Sequence, residues 1–270
     1  MTSKRQNNNA QNKTATSNAL MCQHNIETLD FGNRTHLTKF DIAQWQRSFW
    51  NSQSLRRYRV LRALKNRFGS TNELGVFEMS EKGLMEVSNP SEIFLSERSY
   101  GVSGACVAAT IEGSRALLVE IQALVSKTNY AAPQRVSSGF DQRRLALLLA
   151  VLEKRLGLPM WSHDVFLNIA GGLRLDEPAI DLAVAVAIVS SLRDIPADSS
   201  TCAVGEIGLS GELRSVAHLE RRIVEAKKLG FEKVVVPKHS KDSIQSLGKK
   251  YAIELRFCSK LNDALNAFLT

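Results

Sequence analysis

Apolar and polar positions divide the chain into a polar leader and a long patterned region. From residue 101 onward, short apolar runs alternate with segments whose apolar residues recur every three or four positions, the pattern of strands interleaved with helices. Cys106 to Ile111 and Ala116 to Val125 predict two strands joined by the turn Glu112-Gly113-Ser114. Leu145, Leu148, Leu149, Leu152 and Leu156 predict a helix from Asp141 that stops at Gly157, a residue suited to the left-handed position after a helix. Val165 to Ile169 predicts a strand, Ala179 to Leu192 an apolar helix, and Ala203 to Ile207 with Gly211 to Val216 a hairpin around Gly208-Leu209-Ser210. Leu219 to Leu229 predicts an amphipathic helix, Lys233 to Val236 a buried strand ended by Pro237, and Leu261 to Phe268 a closing helix. Upstream, Leu74 to Met79 and Leu84 to Val87 predict strands around a Glu81-Lys82-Gly83 turn, and Asn89-Pro90 is expected to break the chain. The expected class is α/β, with helices on a mixed sheet.

Residues 1–54 are rich in Asn, Gln, Ser and Thr and bury too little apolar surface to offset the entropy of ordering, so disorder is expected at least as far as Cys22. Composition adds a net charge of +8, which favours a polyanionic partner, nucleic acid first. The longest apolar stretch, Leu182 to Val189, has the length of a core helix, so no membrane span is expected, and a cytoplasmic location is. The four cysteines are scattered without a C-x-x-C pair, which indicates neither a zinc site nor a disulfide framework. The histidines have no partner at metal-ligand spacing.

Charge concentrates first at Arg56, Arg57, Arg59, Arg62, Lys65 and Arg67, with no acid between Asp41 and Glu73. An edge strand defended by cations is one reading of this tract. Phosphate neutralisation is the sharper one, with Arg56, Arg57, Arg59 and Arg62 as candidate DNA contacts.

Two stretches carry a family resemblance. Lys65-Asn66-Arg67-Phe68-Gly69, followed by Asn72 to Met79, resembles the KNRFG motif of the bacterial RadA/Sms DNA-repair family. The second stretch runs from Asp164-Val165-Phe166 through Glu177-Pro178-Ala179-Ile180-Asp181, Gly205 to Glu212 and Glu220-Arg221-Arg222 to Val235-Val236-Pro237. It is similar to that family's Lon-protease-like C-terminal domain, of the ribosomal protein S5 domain 2-like fold. The resemblance implies three regions: a leader at 1–54, the last strands of a RecA-like ATPase core at 55–100, and a Lon-like domain at 101–270. It further implies a recombination and repair protein that migrates DNA branches as a hexameric ring, using ATP and magnesium. Its partners would be single-stranded or branched DNA, further copies of itself, and a full-length RadA or RecA. In the family, the Lys and Arg of KNRFG reach a neighbouring subunit's nucleotide, which gives Lys65 and Arg67 a coupling role in trans. No G-x-x-x-x-G-K-S/T phosphate loop and no zinc finger occur in the 270 residues, so no cofactor is expected in this chain and ATP hydrolysis by it alone is not expected.

The resemblance also locates a peptidase dyad. Ala179 stands where a Lon peptidase has its Ser, and Glu220 where it has its Lys. A methyl group cannot attack a carbonyl, so no catalytic residue is expected, and the resemblance points to a DNA-binding scaffold. An ATP-dependent serine peptidase and a non-functional gene fragment are the alternatives. Asp176 is expected to cap the following helix. Glu206 with Arg214, and Glu220 with Arg221 and Arg222, are expected to be surface or subunit-contact charges.

Overall fold

A computed structural model describes residues 58–62, 74–80, 83–87, 89–96, 98, 100–113 and 115–269. The chain divides into two compact units, residues 1–88 and 89–270. In the first, β1 (Tyr58–Arg62), β2 (Leu74–Ser80) and β3 (Gly83–Glu86) form an antiparallel sheet in the order β1-β2-β3. Val60 pairs with Val76, and Phe77 of β2 is buried. The two strands expected here are present, and part of the basic tract is a strand with β2 as its one neighbour among the described residues. Arg56, Arg57, Lys65, Arg67 and the leader lie outside the described residues. So do the side chains of Arg59 and Arg62.

The second unit runs α1 (Pro90–Leu95), β4 (Ala105–Glu112), β5 (Arg115–Lys127), β6 (Arg135–Ser138), α2 (Gln142–Leu156), β7 (His163–Ile169), α3 (Asp181–Arg193), β8 (Thr201–Ala203), β9 (Glu206–Ile207), β10 (Leu213–Arg214), α4 (Leu219–Lys228), β11 (Lys233–Pro237), α5 (Lys241–Tyr251), β12 (Glu254–Cys258) and α6 (Leu261–Asn266). Seven strands form one sheet in the order β12-β11-β8-β4-β5-β7-β6, and β9 with β10 makes a separate two-stranded ribbon. The β4–β5 and β5–β7 pairs are antiparallel, and the other four pairs in the sheet are parallel. This is the mixed α/β fold that the alternating pattern predicts, with β7 and β11 in a common sheet.

Alternation along β4 sends successive side chains to opposite faces. Val107 and Ala109 join Leu118, Val234 and Val236 beneath Ile223 and Ala226 of α4 and Ile244 and Leu247 of α5. Ala108 faces the other way, where α3 packs against β4 and β5. Leu182 to Ser190 of α3 are all buried, as befits a helix apolar on every side. The spacing seen in α2 buries Leu145, Leu148, Leu149 and Leu152, each worth roughly 2 kcal/mol. Asp141 caps the start of α2 by accepting the Arg144 N–H at 2.8 Å. Gly157, at φ 67°, ends it in the left-handed region.

Three expectations need correction. Asn89-Pro90 starts a helix: the Asn89 side chain accepts the Ser91 N–H at 3.2 Å, and Pro90 sits in the first turn, where its missing N–H costs nothing. The apolar run expected as one hairpin strand from Ala203 is divided. Thr201–Ala203 enters the main sheet between β11 and β4, while Glu206–Ile207 pairs with Leu213–Arg214. Asp176 does not cap a helix; its carboxylate lies 3.3 Å from Arg174, and the turn at Pro178–Ile180 that precedes α3 follows Glu177. The α5–β12 pair was not anticipated, because residues 238–260 show no strong apolar period.

Asp198 ties the entry of β8 to two other segments. Its carboxylate accepts from the Ser200 N–H at 2.9 Å, Ser200 Oγ at 2.7 Å, Thr201 Oγ1 at 2.8 Å and Lys233 Nζ of β11 at 3.0 Å. Its own N–H donates to the Phe268 carbonyl at 2.9 Å. Burial alone would raise its pKa, but the bonds from Ser200, Lys233 and Thr201 outweigh that and hold it well below the usual carboxylate range. A lowered folded-state pKa contributes stability that is fully present above the unfolded value of about 3.9 and is lost progressively as pH falls from there through the folded pKa. Asp198→Ala is expected to cost about 1–3 kcal/mol in urea unfolding at pH 7. The gap between variant and parent should narrow as the pH falls to about 3; a pH-independent gap would refute this assignment.

Candidate functional site

The segment Glu177 to Asp181, where the resemblance places a peptidase nucleophile, is held at both ends by carboxylate–arginine pairs. At its start, Glu177 is ion-paired with Arg222 of α4, whose side chain is completely buried. The second Glu177 oxygen accepts from Arg222 Nη1 at 3.0 Å, Thr110 Oγ1 at 2.8 Å and the Ile111 N–H at 2.8 Å. Arg222 also donates to the carbonyls of Ala109 at 2.6 Å and Ala217 at 3.0 Å. Burial would raise the Glu177 pKa, but Arg222, Ile111 and Thr110 together pull it below the ordinary range. The pair is therefore charged and well hydrogen-bonded, the condition under which a buried ion pair is tolerated.

At the other end, Asp181 is fully buried and faces Arg144 of α2. Nε donates to one carboxylate oxygen at 3.0 Å, and Nη2 is ion-paired with the other, which also accepts the Ile207 N–H at 3.1 Å. Burial lifts Asp181 above the ordinary carboxylate range against the pull of Arg144 and Ile207. Hydrogen bonding to Asp181 shifts Arg144 further above its ordinary value. Glu206 of β9 lies 3.7 Å from Arg144 and 3.8 Å from Arg214 of β10, which extends the network to the ribbon. Between these anchors Ala179 is buried, and its carbonyl accepts the Gly205 N–H at 2.9 Å.

Glu220 is not part of this arrangement. It lies on the exposed side of α4, where Lys250 Nζ at 3.2 Å and Tyr251 Oη at 3.1 Å hold its carboxyl below the usual range. The α4 cation that reaches the Ala179 segment is Arg222, and this corrects its expected place on the surface. The helix pattern carried a signal for it: Leu219, Arg222, Ile223 and Ala226 share one face, so Arg222 falls on the apolar stripe. Asp181 links α3 to α2 through Arg144 and to β9 through the Ile207 N–H. Among the described residues, no group of three or more His, Cys, Asp and Glu is arranged to hold a metal, and no helix is long and apolar enough to cross a membrane. The candidate DNA and nucleotide-coupling residues Arg56, Arg57, Lys65 and Arg67 lie outside the described residues, and Arg59 and Arg62 are placed only as backbone in β1.

Two outcomes follow from this geometry. Replacing either partner of the Glu177–Arg222 pair strands the other, so Glu177→Gln and Arg222→Met should each cost about 3 kcal/mol in denaturant unfolding. The double replacement should cost well under their sum, and simple additivity would overturn the coupling. Ala179→Ser should yield no casein cleavage, because a buried hydroxyl there meets no lysine and Glu220 is turned toward Lys250 and Tyr251. Activity that appears with this single change would contradict the geometry.

Comparison with known proteins adds an outside reference. Residues 140–240 match the family described as "Subunit ChlI of Mg-chelatase". The chain is 56% identical over 180 residues to the DNA repair protein RadA of Bacillus subtilis, which covers 67% of this chain and 39% of that protein. It is 55% identical over 183 residues to the RadA of Streptococcus pneumoniae, covering 68% and 44%. It is 50% identical over 210 residues to that of Streptococcus pyogenes serotype M1, covering 78% and 46%. The chain spans less than half the length of these curated relatives. Identity at this level, along two thirds or more of the chain, places it in the RadA family through the stretch it shares with them.

Proposed function

We propose that this chain serves DNA recombination and repair as a cytoplasmic, DNA-binding scaffold with the Lon-like architecture of its resemblance. Copies would assemble into a ring, hexameric in this reading, on single-stranded or branched DNA. ATP and magnesium would be held by a complete RadA subunit, with Lys65 and Arg67 acting toward its nucleotide and RecA as a further partner. Branch migration would then be a property of the assembly. Three supports lie in the relatives' name, the basic tract at 56–67 and the two lost peptidase positions.

One observation carries the reading furthest. Charge within the second unit is sharply divided. Residues 219–260 hold eleven Lys and Arg against five Asp and Glu, while residues 101–218 hold ten against twelve. The excess lies on the layer formed by α4, α5, β11 and β12, where Lys228, Lys238, Lys241, Lys249 and Lys250 are all exposed. Such a one-sided field attracts a phosphate backbone without reading its sequence.

Binding should therefore be sequence-independent and fall steeply with salt, with a log–log slope of about −0.9 per phosphate contacted on duplex and about −0.7 on single strands. Replacing Arg56, Arg57 and Arg59 with Ala, or Lys228, Lys241 and Lys249 with Ala, should weaken binding and flatten the slope at unchanged oligomer size. Anisotropy titrations on labelled DNA over a salt series, with light scattering for mass, test this. DNA binding that is absent or insensitive to salt would remove the proposal, and a monomer at micromolar concentration would remove the ring.

A further inference from the structure

Two neighbouring loops at one end of the main sheet hold aromatic rings out in solvent. β5 ends at Lys127 and β7 begins at His163, and these two residues are register partners. Just beyond them the Thr128 N–H donates to the Ser162 carbonyl at 3.0 Å, which stitches the loop after β5 to the turn before β7. Tyr130 follows that bond on one loop, and Trp161 precedes it on the other. Tyr130 is 65% exposed and Trp161 is 69% exposed. Among the described residues neither ring meets another ring or lies under a cation, whereas the exposed Tyr100 has Arg98 over it at 5.2 Å. Both rings are carried on fastened backbone. Met160 is fully buried and anchors the turn Met160–Ser162, and the Pro159 carbonyl accepts the Ser162 N–H at 3.2 Å. The Thr128 hydroxyl accepts the Tyr130 N–H at 3.2 Å. Rings held this way give the fold little burial and are already ordered for a ligand.

The charge around the rings decides what fits them. Residues 121–140 and 154–163 contain no Asp or Glu. Lys127 and Arg135 lie in the first of these stretches, and among the described residues neither has a carboxylate partner. Arg135 Nη2 donates to the Met160 carbonyl at 2.7 Å and Nη1 has no hydrogen-bond partner, so a guanidinium without an ion pair sits against the turn that carries Trp161. The acid closest in sequence to Trp161 is Asp164, which is buried and accepts the Gln134 N–H at 2.7 Å. Exposed π-faces beside cations that lack acidic partners match a nucleotide, whose base stacks while its phosphate meets the positive charge. In a duplex the bases stack on one another, so an unpaired strand is the form that can offer them to a side chain.

We infer that Trp161 and Tyr130 form a stacking platform for the bases of single-stranded DNA, with Lys127 and Arg135 beside it for the phosphates. The inference rests on the nucleic-acid reading and adds to it a site that senses bases, where the lysines of α4 and α5 sense only charge. The test titrates the full chain with a fluorescein-labelled oligothymidylate of about 16 nucleotides and with an abasic strand of equal length and charge. The parent chain should prefer the oligothymidylate. Trp161→Ala and Tyr130→Ala, both at exposed positions, should each weaken that binding about fivefold or more. Neither should alter binding to the abasic strand or to duplex, and neither should alter the salt slope, because no phosphate contact is lost. Trp161→Phe should restore most of the affinity. In a chain with Trp45 and Trp50 replaced by Phe, the oligothymidylate should quench the Trp161 fluorescence and the abasic strand should not. Equal affinity for the two strands, binding indifferent to both alanine replacements, unquenched Trp161, or a changed oligomer mass on Trp161→Ala, which would assign the ring to a contact between protein chains, would each overturn the inference. Any of these results with salt-sensitive DNA binding retained leaves the scaffold reading standing, whereas a parent chain that binds no DNA removes both.

Discussion

The second unit depends on the burial of Arg222. A guanidinium taken wholly out of water is tolerated only if its donors are met, and here Glu177, the carbonyls of Ala109 and Ala217, and the proximity of Thr110 and Ile111 form one closed set. That set joins α4, β4 and the segment leading into α3. Arg144 and Asp181 repeat the device from the other side, joining α2 to α3 and to β9. The Glu177–Asp181 segment is thus pinned by two ionic locks, to each of which it contributes the carboxylate. Apolar contacts alone can slide, but paired donors and acceptors fix one register.

These locks surround the position where the resemblance places a peptidase nucleophile. Ala179 is enclosed between the two anchors, and its surroundings serve packing. The carboxylates of Glu177 and Asp181 serve to hold α2, α3 and α4 together. Glu220, two residues before Arg222, sits on the other side of the same helix.

Much of the second unit was legible because its signals are local. The α2 leucines, the Gly157 stop and the β4–β5 turn follow from spacing and turn chemistry within a dozen residues. What escaped depended on distant partners. Thr201–Ala203 becomes a separate strand because β4 and β11 claim its backbone, and its three residues carry no period of their own. The α5–β12 pair has its apolar residues Ile244, Leu247 and Ile253 diluted among lysines and serines. Arg222 reads as surface charge until its place on the α4 stripe is matched with a carboxylate forty-five residues away in sequence. Asn89-Pro90 starts α1 although it predicts a break, because the same dipeptide that ends one element can start the next.

The short strand β8 has a consequence for how the chain reaches this state. Strands β4 to β7 pair with near neighbours in sequence, while β11 and β12 form a separate parallel pair. Among the described residues, only Thr201–Ala203 joins the two groups in the sheet, through two registered pairs with β4 and three with β11. During synthesis the earlier strands can associate as they emerge, but β4 keeps an open edge until residue 203 has been made, and β8, once added, keeps one until residue 237 has been made. Closing the sheet is therefore a late, long-range event, and the interval before it is when first the β4 edge and then the β8 edge is open to pairing with another chain.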